Sequence, residues 1–159
     1  MNLKHLRVRV AQCDLIATSS PCSRRKVGAL IINPAANVVI SEGYNGTPRQ
    51  SAHDLCGGSS CLRDSKAVIS GTQNDVGCHH AEMNAILNAA RIGQSTVDAW
   101  LISNCDPCLM CAKAIHHSGI VKVFVPYNLR GDHIEGLDYL AHNNVRIEST
   151  DRIKANDDE

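Results

Sequence analysis

Aromatic side chains are scarce: Tyr44, Trp100, Phe124, Tyr127 and Tyr139 are all that the 159-residue chain contains. A binder of single-stranded nucleic acid wants successive rings on which bases can stack, and five scattered ones do not supply that track. Excess charge of either sign is also missing, because 16 Lys and Arg balance 16 Asp and Glu. No overall field therefore draws the chain to a nucleic-acid polymer or an anionic membrane. No apolar run approaches the ~18 residues of a membrane span, and the opening MNLKHLRVRV lacks the unbroken apolar core of a secretion signal. These absences argue against polynucleotide and membrane roles and predict a cytoplasmic protein.

Cysteine, by contrast, is plentiful, with eight residues. In a reducing compartment such thiols serve as metal ligands, catalytic groups or small core residues more often than as disulfides. The hydrophobic fraction of 43% suits one globular domain with a sizeable core, taking in residues 1–159.

The pattern along the chain is that of an α/β domain. LKHLRVRVAQCDLIATSS carries Leu6, Val10, Cys13 and Ile16–Ala17 at helical spacing. KVGALIINPAANVVISEGYN reads as two β-branched runs joined by NPAAN, a β-hairpin. Residues 46–79 are rich in Gly, Ser, Asp and Cys and read as a long irregular insertion, which compact domains keep for function or stapling. From residue 80 the alternation is regular. Met83, Ile86, Leu87 and Ala90 follow i, i+3, i+4, i+7 and predict an amphipathic helix over 80–92 with that stripe inward. VDAWLIS is a strand. PCLMCAKAIHHSG is a helix with Pro107 at its first position and Gly119 as its stop. IVKVFVPY is a strand, IEGLDYLAHNN a helix, VRIEST a last strand, and KANDDE a frayed tail. Strands alternating with helices of this length place helices on both faces of a sheet.

Two short motifs carry the chemistry. Cys108 and Cys111 stand three apart at a helix start, so both sulfurs share one face, and the positive helix end favours the metal-binding thiolate. His80 opens the preceding helix and offers an imidazole nitrogen. One histidine and two thiolates leave the fourth tetrahedral position of a zinc ion open, as in catalytic rather than structural sites. Glu82, two residues on, is a carboxylate that can take a proton from a metal-activated water and return it to a leaving group. A C-x-x-C alone also fits a redox pair or half a structural zinc site, and a zinc-stabilised module without catalysis is the alternative of a different class. Such a module has no use for Glu82.

HAEMNAIL with PCLMC resembles the H-x-E…P-C-x-x-C signature of zinc-dependent cytidine deaminases. Through KVGALIIN, GYNGTP, HAEMNAILNAAR, CDPCLMCAKAIHHSGI and VPY the chain most strongly resembles deoxycytidylate (dCMP) deaminases of the bacteriophage type, over most of its length. The resemblance implies a three-layer αβα sandwich around a five-stranded mixed sheet. It also implies hydrolysis of dCMP to dUMP and ammonia for thymidylate synthesis, by attack of zinc-activated water on C4 with Glu82 shuttling protons. A viral source would put the protein in the host cytoplasm. A nucleoside cytidine deaminase or a tRNA adenosine deaminase is the alternative within the superfamily.

The remaining assignments lie outside the zinc core. Arg24, Arg25 and Lys26 precede a strand and offer the charge-assisted grip a monophosphate needs, although each also fits a solvated basic turn. Asn45 resembles the asparagine that hydrogen-bonds the sugar in the superfamily, and Tyr127 falls in the region that lines its pocket. Cys22, Cys56, Cys61 and Cys78 flank the insertion and could hold a second, structural zinc, with His53 and His79 as substitute ligands, while Cys13 and Cys105 read as buried free thiols. The resemblance further implies a homohexamer activated by dCTP and inhibited by dTTP, with Mg2+ accompanying the triphosphate. The effector residues would be Gly43, Tyr44, Gly46, Thr47, Arg49 and Arg91; a Gly-flanked turn offers N–H groups to phosphates, though Arg91 also suits its helix C-terminus.

Overall fold

The computed structural model describes residues 1–51, 56–57, 60–69, 76–128 and 133–155, the side chains of 56, 57 and 60 excepted. The element order is α1 (Leu3–Ala17), β1 (Gly28–Asn33), β2 (Val38–Tyr44), β3 (Cys56–Gly57), β4 (Ser60–Cys61), α2 (Leu62–Ser65), α3 (Ala81–Arg91), β5 (Trp100–Ser103), α4 (Leu109–His117), β6 (Lys122–Val125), α5 (His133–His142), β7 (Arg146–Ser149) and α6 (Thr150–Ala155). His53 and residues 156–159 lie outside the described residues.

Five strands form one mixed sheet in the order β2-β1-β5-β6-β7. β1 runs antiparallel to both β2 and β5, whereas β5, β6 and β7 are parallel. Strands buried on both faces read as continuous apolar runs, and β1, β5 and β6 do so. Ala29, Ile31, Leu101, Val123 and Val125 pack with Ala81, Ala85, Ala112, Ile115, Leu137 and Leu140, so α3, α4 and α5 cover one face. Leu30, Ile32, Ile102 and Phe124 alternate with them and pack with Leu6, Val10, Cys13 and Ile153, so α1 and α6 cover the other. The result is the three-layer αβα arrangement with a five-stranded mixed sheet.

Three local expectations are corrected. The most buried face of α3 is Ala81, Glu82, Ala85 and Ala89; of the expected stripe Ile86 does pack against the core, whereas Met83 is half-buried, Ala90 exposed and Leu87 45% exposed. The cause is a close approach. A Cβ on Gly43 of β2 would sit 2.4 Å from the Ala85 nitrogen and 2.5 Å from the Ala81 oxygen, so the helix backbone lies against the strand, which suits the small residues Ala81 and Ala85. Pro107 stands before the N-cap Cys108 rather than inside α4, because the helix starts two residues later, at Leu109. The C-terminal segment is not wholly frayed: α6 takes Lys154 and Ala155, held by buried Ile153 and by a 2.8 Å ion pair from Lys154 to Asp14. Gly119, at φ +80°, ends α4 as expected.

Candidate metal centre and active site

The site forms where several chain ends meet. β5 is parallel to β6, so the segments following both strands emerge at one edge of the sheet, and the register of β1 with β2 and β5 brings the start of β1 and the end of β2 there too. In open α/β sheets this carboxyl-end edge is where ligands bind. His80 is the N-cap of α3 and Cys108 that of α4, so the positive ends of both helices point into one place.

His80 Nδ1 lies 3.5 Å from Cys108 Sγ and 3.6 Å from Cys111 Sγ. The ligand atoms of these three residues all fall within 4.8 Å of one another, the one such cluster of His, Cys, Asp and Glu among the described residues. Two soft sulfurs and an imidazole nitrogen at this spacing fit tetrahedral zinc with one position left over. The opposite edge of the ring, Nε2, faces Arg63 Nη2 at 3.4 Å, and Arg63 Nε donates to the Val76 carbonyl at 2.8 Å.

The electrostatics match a site for a cation. The hydrogen bond with Cys111, helped by His80, lowers the Cys108 thiol to about 4. The same contact with Cys108, with burial, holds Cys111 well above its ordinary value. A divalent cation would bind both sulfurs as thiolates and displace their protons. Glu82 is 3% exposed, and burial raises its carboxyl to about 7, against the lowering influence of His80. By contrast, burial drives Cys13 and Cys105 up to about 12; they are inert buried thiols.

The cavity beside this cluster is lined by His80, Glu82 and Cys108 together with Arg24, Arg25 and Asn45. A second, polar cavity shares Arg25, Asp106 and His133 with it, so the two adjoin. The basic triplet divides. Arg24 donates to the Val68 carbonyl at 2.8 Å and its Nη1 lies 3.2 Å from the Asp64 carboxylate, an ion pair without hydrogen-bond alignment. Lys26 turns to the Thr18 carbonyl at 3.2 Å. Among the described residues, the Arg25 guanidinium has no hydrogen-bond or ion-pair partner, and it lines both cavities. Asn45 is 8% exposed; its amide accepts from Val27 N at 2.8 Å and donates to the Arg25 carbonyl at 2.9 Å, fixing the Arg25–Val27 backbone at the cavity. Tyr127 is 47% exposed with φ +62°, and its backbone N–H is held by Asp106.

This geometry coincides with a family match. The model of the cytidine and deoxycytidylate deaminase zinc-binding region matches residues 3–126. The chain belongs to this deaminase family. A deoxycytidylate deaminase of Schizosaccharomyces pombe is 39% identical over 69% of this chain, and the match takes in 33% of that protein; the chain thus spans about a third of its length. The deoxycytidylate deaminase of Enterobacteria phage T4 is 31% identical, over 69% of this chain and 70% of its own. Among solved structures, the cyanophage S-TIM5 dCMP deaminase in complex with dCMP and dUMP superposes with a TM-score of 0.74 at 26% identity, covering 94% of this chain and 98% of that one.

Beyond the deaminase core, Cys22, Cys61 and Cys78 line the same cavity outside any disulfide, but they do not approach one another as closely as the first trio. Cys56 pairs with Cys61 across β3 and β4, and its side chain lies outside the described residues. Burial opposes ionisation of Cys61, yet the Asp64 and Arg63 N–H groups and Arg24 outweigh it and lower its pKa. His79 pairs with Gly46 through the backbone and turns Nδ1 to the Asn84 amide at 3.2 Å. The structure brings Arg91 to the 46–51 segment, where it donates to Gln50 at 2.6 Å. Arg49 and Tyr44 are exposed nearby and Thr47 is half-buried, while Gly43 is buried under α3. Asp106, Arg63 and His133 are site residues that the motifs did not single out. Asp106 stands in CDPC, one residue outside the P-C-x-x-C signature; the other two carry no local signal.

Proposed function

We propose that residues 1–159 form one zinc-dependent deaminase domain that hydrolyses dCMP to dUMP and ammonia, supplying dUMP for thymidylate synthesis. The observation that carries this reading is the meeting of His80, Cys108 and Cys111 within 4.8 Å beside buried Glu82, in a cavity that Arg25 also lines. Family membership and the dCMP and dUMP bound by the cyanophage relative support it.

His80 Nδ1 and the two sulfurs would hold the zinc, which when bound supplies a Lewis acid that acidifies water. Glu82 would take a proton from the attacking water and pass it to the amine leaving C4, so that water supplies the new carbonyl oxygen and ammonia departs. Its burial excludes competing solvent. Asn45 holds the Arg25–Val27 backbone and would use the remaining hydrogen-bonding capacity of its amide for the sugar, with Tyr127 as a further substrate contact. Arg25 is the residue assigned to the 5′-phosphate, since Arg24 and Lys26 are engaged elsewhere. A spectrophotometric screen of dCMP, CMP, deoxycytidine and dCTP tests the reading. Preference for dCMP is expected; preference for deoxycytidine, or turnover of adenosine in tRNA only, would support the alternatives.

Two finer points belong to the same proposal. Cys22, Cys56, Cys61 and Cys78 would bind a second, structural zinc, with His53 or His79 substituting; two zinc ions per chain are expected, and about one in fully active protein would contradict it. The enzyme would work as a homohexamer activated by dCTP, with Mg2+, and inhibited by dTTP, through Gly43, Tyr44, Gly46, Thr47, Arg49 and Arg91. Leu87, exposed on α3 at 45%, supports burial against a second copy. A sigmoidal dCMP curve made hyperbolic by dCTP is expected; kinetics indifferent to millimolar dCTP and dTTP would refute the regulation alone.

A further inference from the structure

The Asp106 carboxylate is 4% exposed and lies two residues before Cys108. It touches neither His80 nor Glu82 by hydrogen bond; both its oxygens point elsewhere. Oδ1 accepts from Tyr127 N at 2.8 Å and Oδ2 from Asn128 N at 2.7 Å. Two successive backbone N–H groups aimed at one anion make an anion-binding nest, and here an internal carboxylate fills it. The nest requires Tyr127 at φ +62°, a conformation costly for a bulky side chain that persists only where its surroundings impose it. The two charge-assisted bonds do so. The segment they pin borders the substrate region: Asn128 lines the polar cavity with Arg25 and His133, and its neighbour Tyr127 is exposed.

We propose that Asp106 is a positioning residue for substrate, fixing the Tyr127–Asn128 lip opposite Arg25 while leaving the metal centre to other supports. Cys108 does not depend on this clamp, because Pro107 is fully buried and its carbonyl is packed against Gly136 of α5. Loss of the clamp therefore acts on binding rather than on the chemical step. The inference rests on the deaminase reading for its kinetic arm, but the clamp itself is measurable without turnover.

Two measurements on the zinc-loaded full chain test it. In the wild type, hydrogen exchange should find the Tyr127 and Asn128 amides protected although both side chains are exposed, and Asp106→Asn should accelerate exchange at these two positions at least tenfold. In steady state, Asp106→Asn should raise KM for dCMP about tenfold with kcat within threefold and zinc content unchanged, and Asp106→Ala should raise KM further. Unprotected wild-type amides would overturn the clamp. A fall in kcat together with zinc loss, at unchanged KM, would overturn the positioning role and make Asp106 a brace for Cys108. If the wild type fails to deaminate dCMP, the function assignment fails while the exchange result still decides the clamp.

Discussion

Gly136 offers the sharpest test of how the metal centre is held. It is buried on α5, and a Cβ there would lie 2.0 Å from the Pro107 oxygen and 2.9 Å from the Cys108 carbonyl carbon. Carbon and oxygen in ordinary contact stand well over 3 Å apart, so Gly136→Ala requires α5 and the start of α4 to separate by about 1 Å or more. At a free helical site the same change would stabilise by about 1 kcal/mol through helix propensity and the unfolded chain. Overpacking against backbone costs about 1–3 kcal/mol or more, and the atom struck is a peptide oxygen that cannot rotate away. The clash wins, and the variant should be less stable by about 1–2 kcal/mol. Because the displaced peptide carries Cys108, a ligand shift of about 1 Å should also cost about 10²-fold in turnover and speed zinc release to a chelator. Denaturant titration with metal released to a chromogenic chelator measures both. A Gly136→Ala protein as stable as wild type or more so, holding zinc equally long, would refute the close approach of α5 to the metal loop.

The other expectations are simpler. His80→Ala, Cys108→Ser and Cys111→Ser should each lose zinc and activity together by metal analysis and assay. Arg25→Gln should raise KM for dCMP by 10-fold or more, the loss of a charge-assisted bond of about 1.5–3 kcal/mol, and leave deoxycytidine unaffected; Lys26→Gln should change either by less than about twofold. Burial raises Cys13 from 9.0 to about 12, so as pH rises the unfolded chain ionises this thiol first and gains the advantage. The stabilising preference is whole below pH 9 and is lost between 9 and 12 at about 1.4 kcal/mol per pH unit. The stability gap between wild type and Cys13→Ala should therefore narrow as pH is raised from 9 to 11; a constant gap would show that Cys13 ionises freely in the fold.

What could be read from the sequence was local. His80, Glu82, Cys108 and Cys111 stand at short spacings that helix geometry alone turns into a cluster, and the strands of the sheet core declare themselves by unbroken apolar runs. The buried face of α3 was only partly legible: Ile86 does pack against the core, but the larger Met83 and Leu87 outweigh Ala81, Ala85 and Ala89 in any amphipathicity argument, and the reason alanines win is Gly43, a residue on another element. Asp106 and Gly136 act across 21 or more positions of chain, so neither has a motif. The helix α6 escaped because its anchors, buried Ile153 and the Lys154–Asp14 pair, reach distant parts of the chain. The basic triplet Arg24, Arg25 and Lys26 looked uniform in sequence and was divided only by the partners of each side chain.

The most direct test of the central claim is dCMP deamination by zinc-replete wild type beside Glu82→Gln, with zinc counted in the same samples. The account predicts dUMP and ammonia in equal amounts from the wild type, and in the variant an unchanged catalytic zinc with turnover reduced by about 10²-fold or more, since water attack and ammonia departure both need the carboxylate. Substantial dCMP turnover by the zinc-loaded Glu82→Gln protein would contradict it.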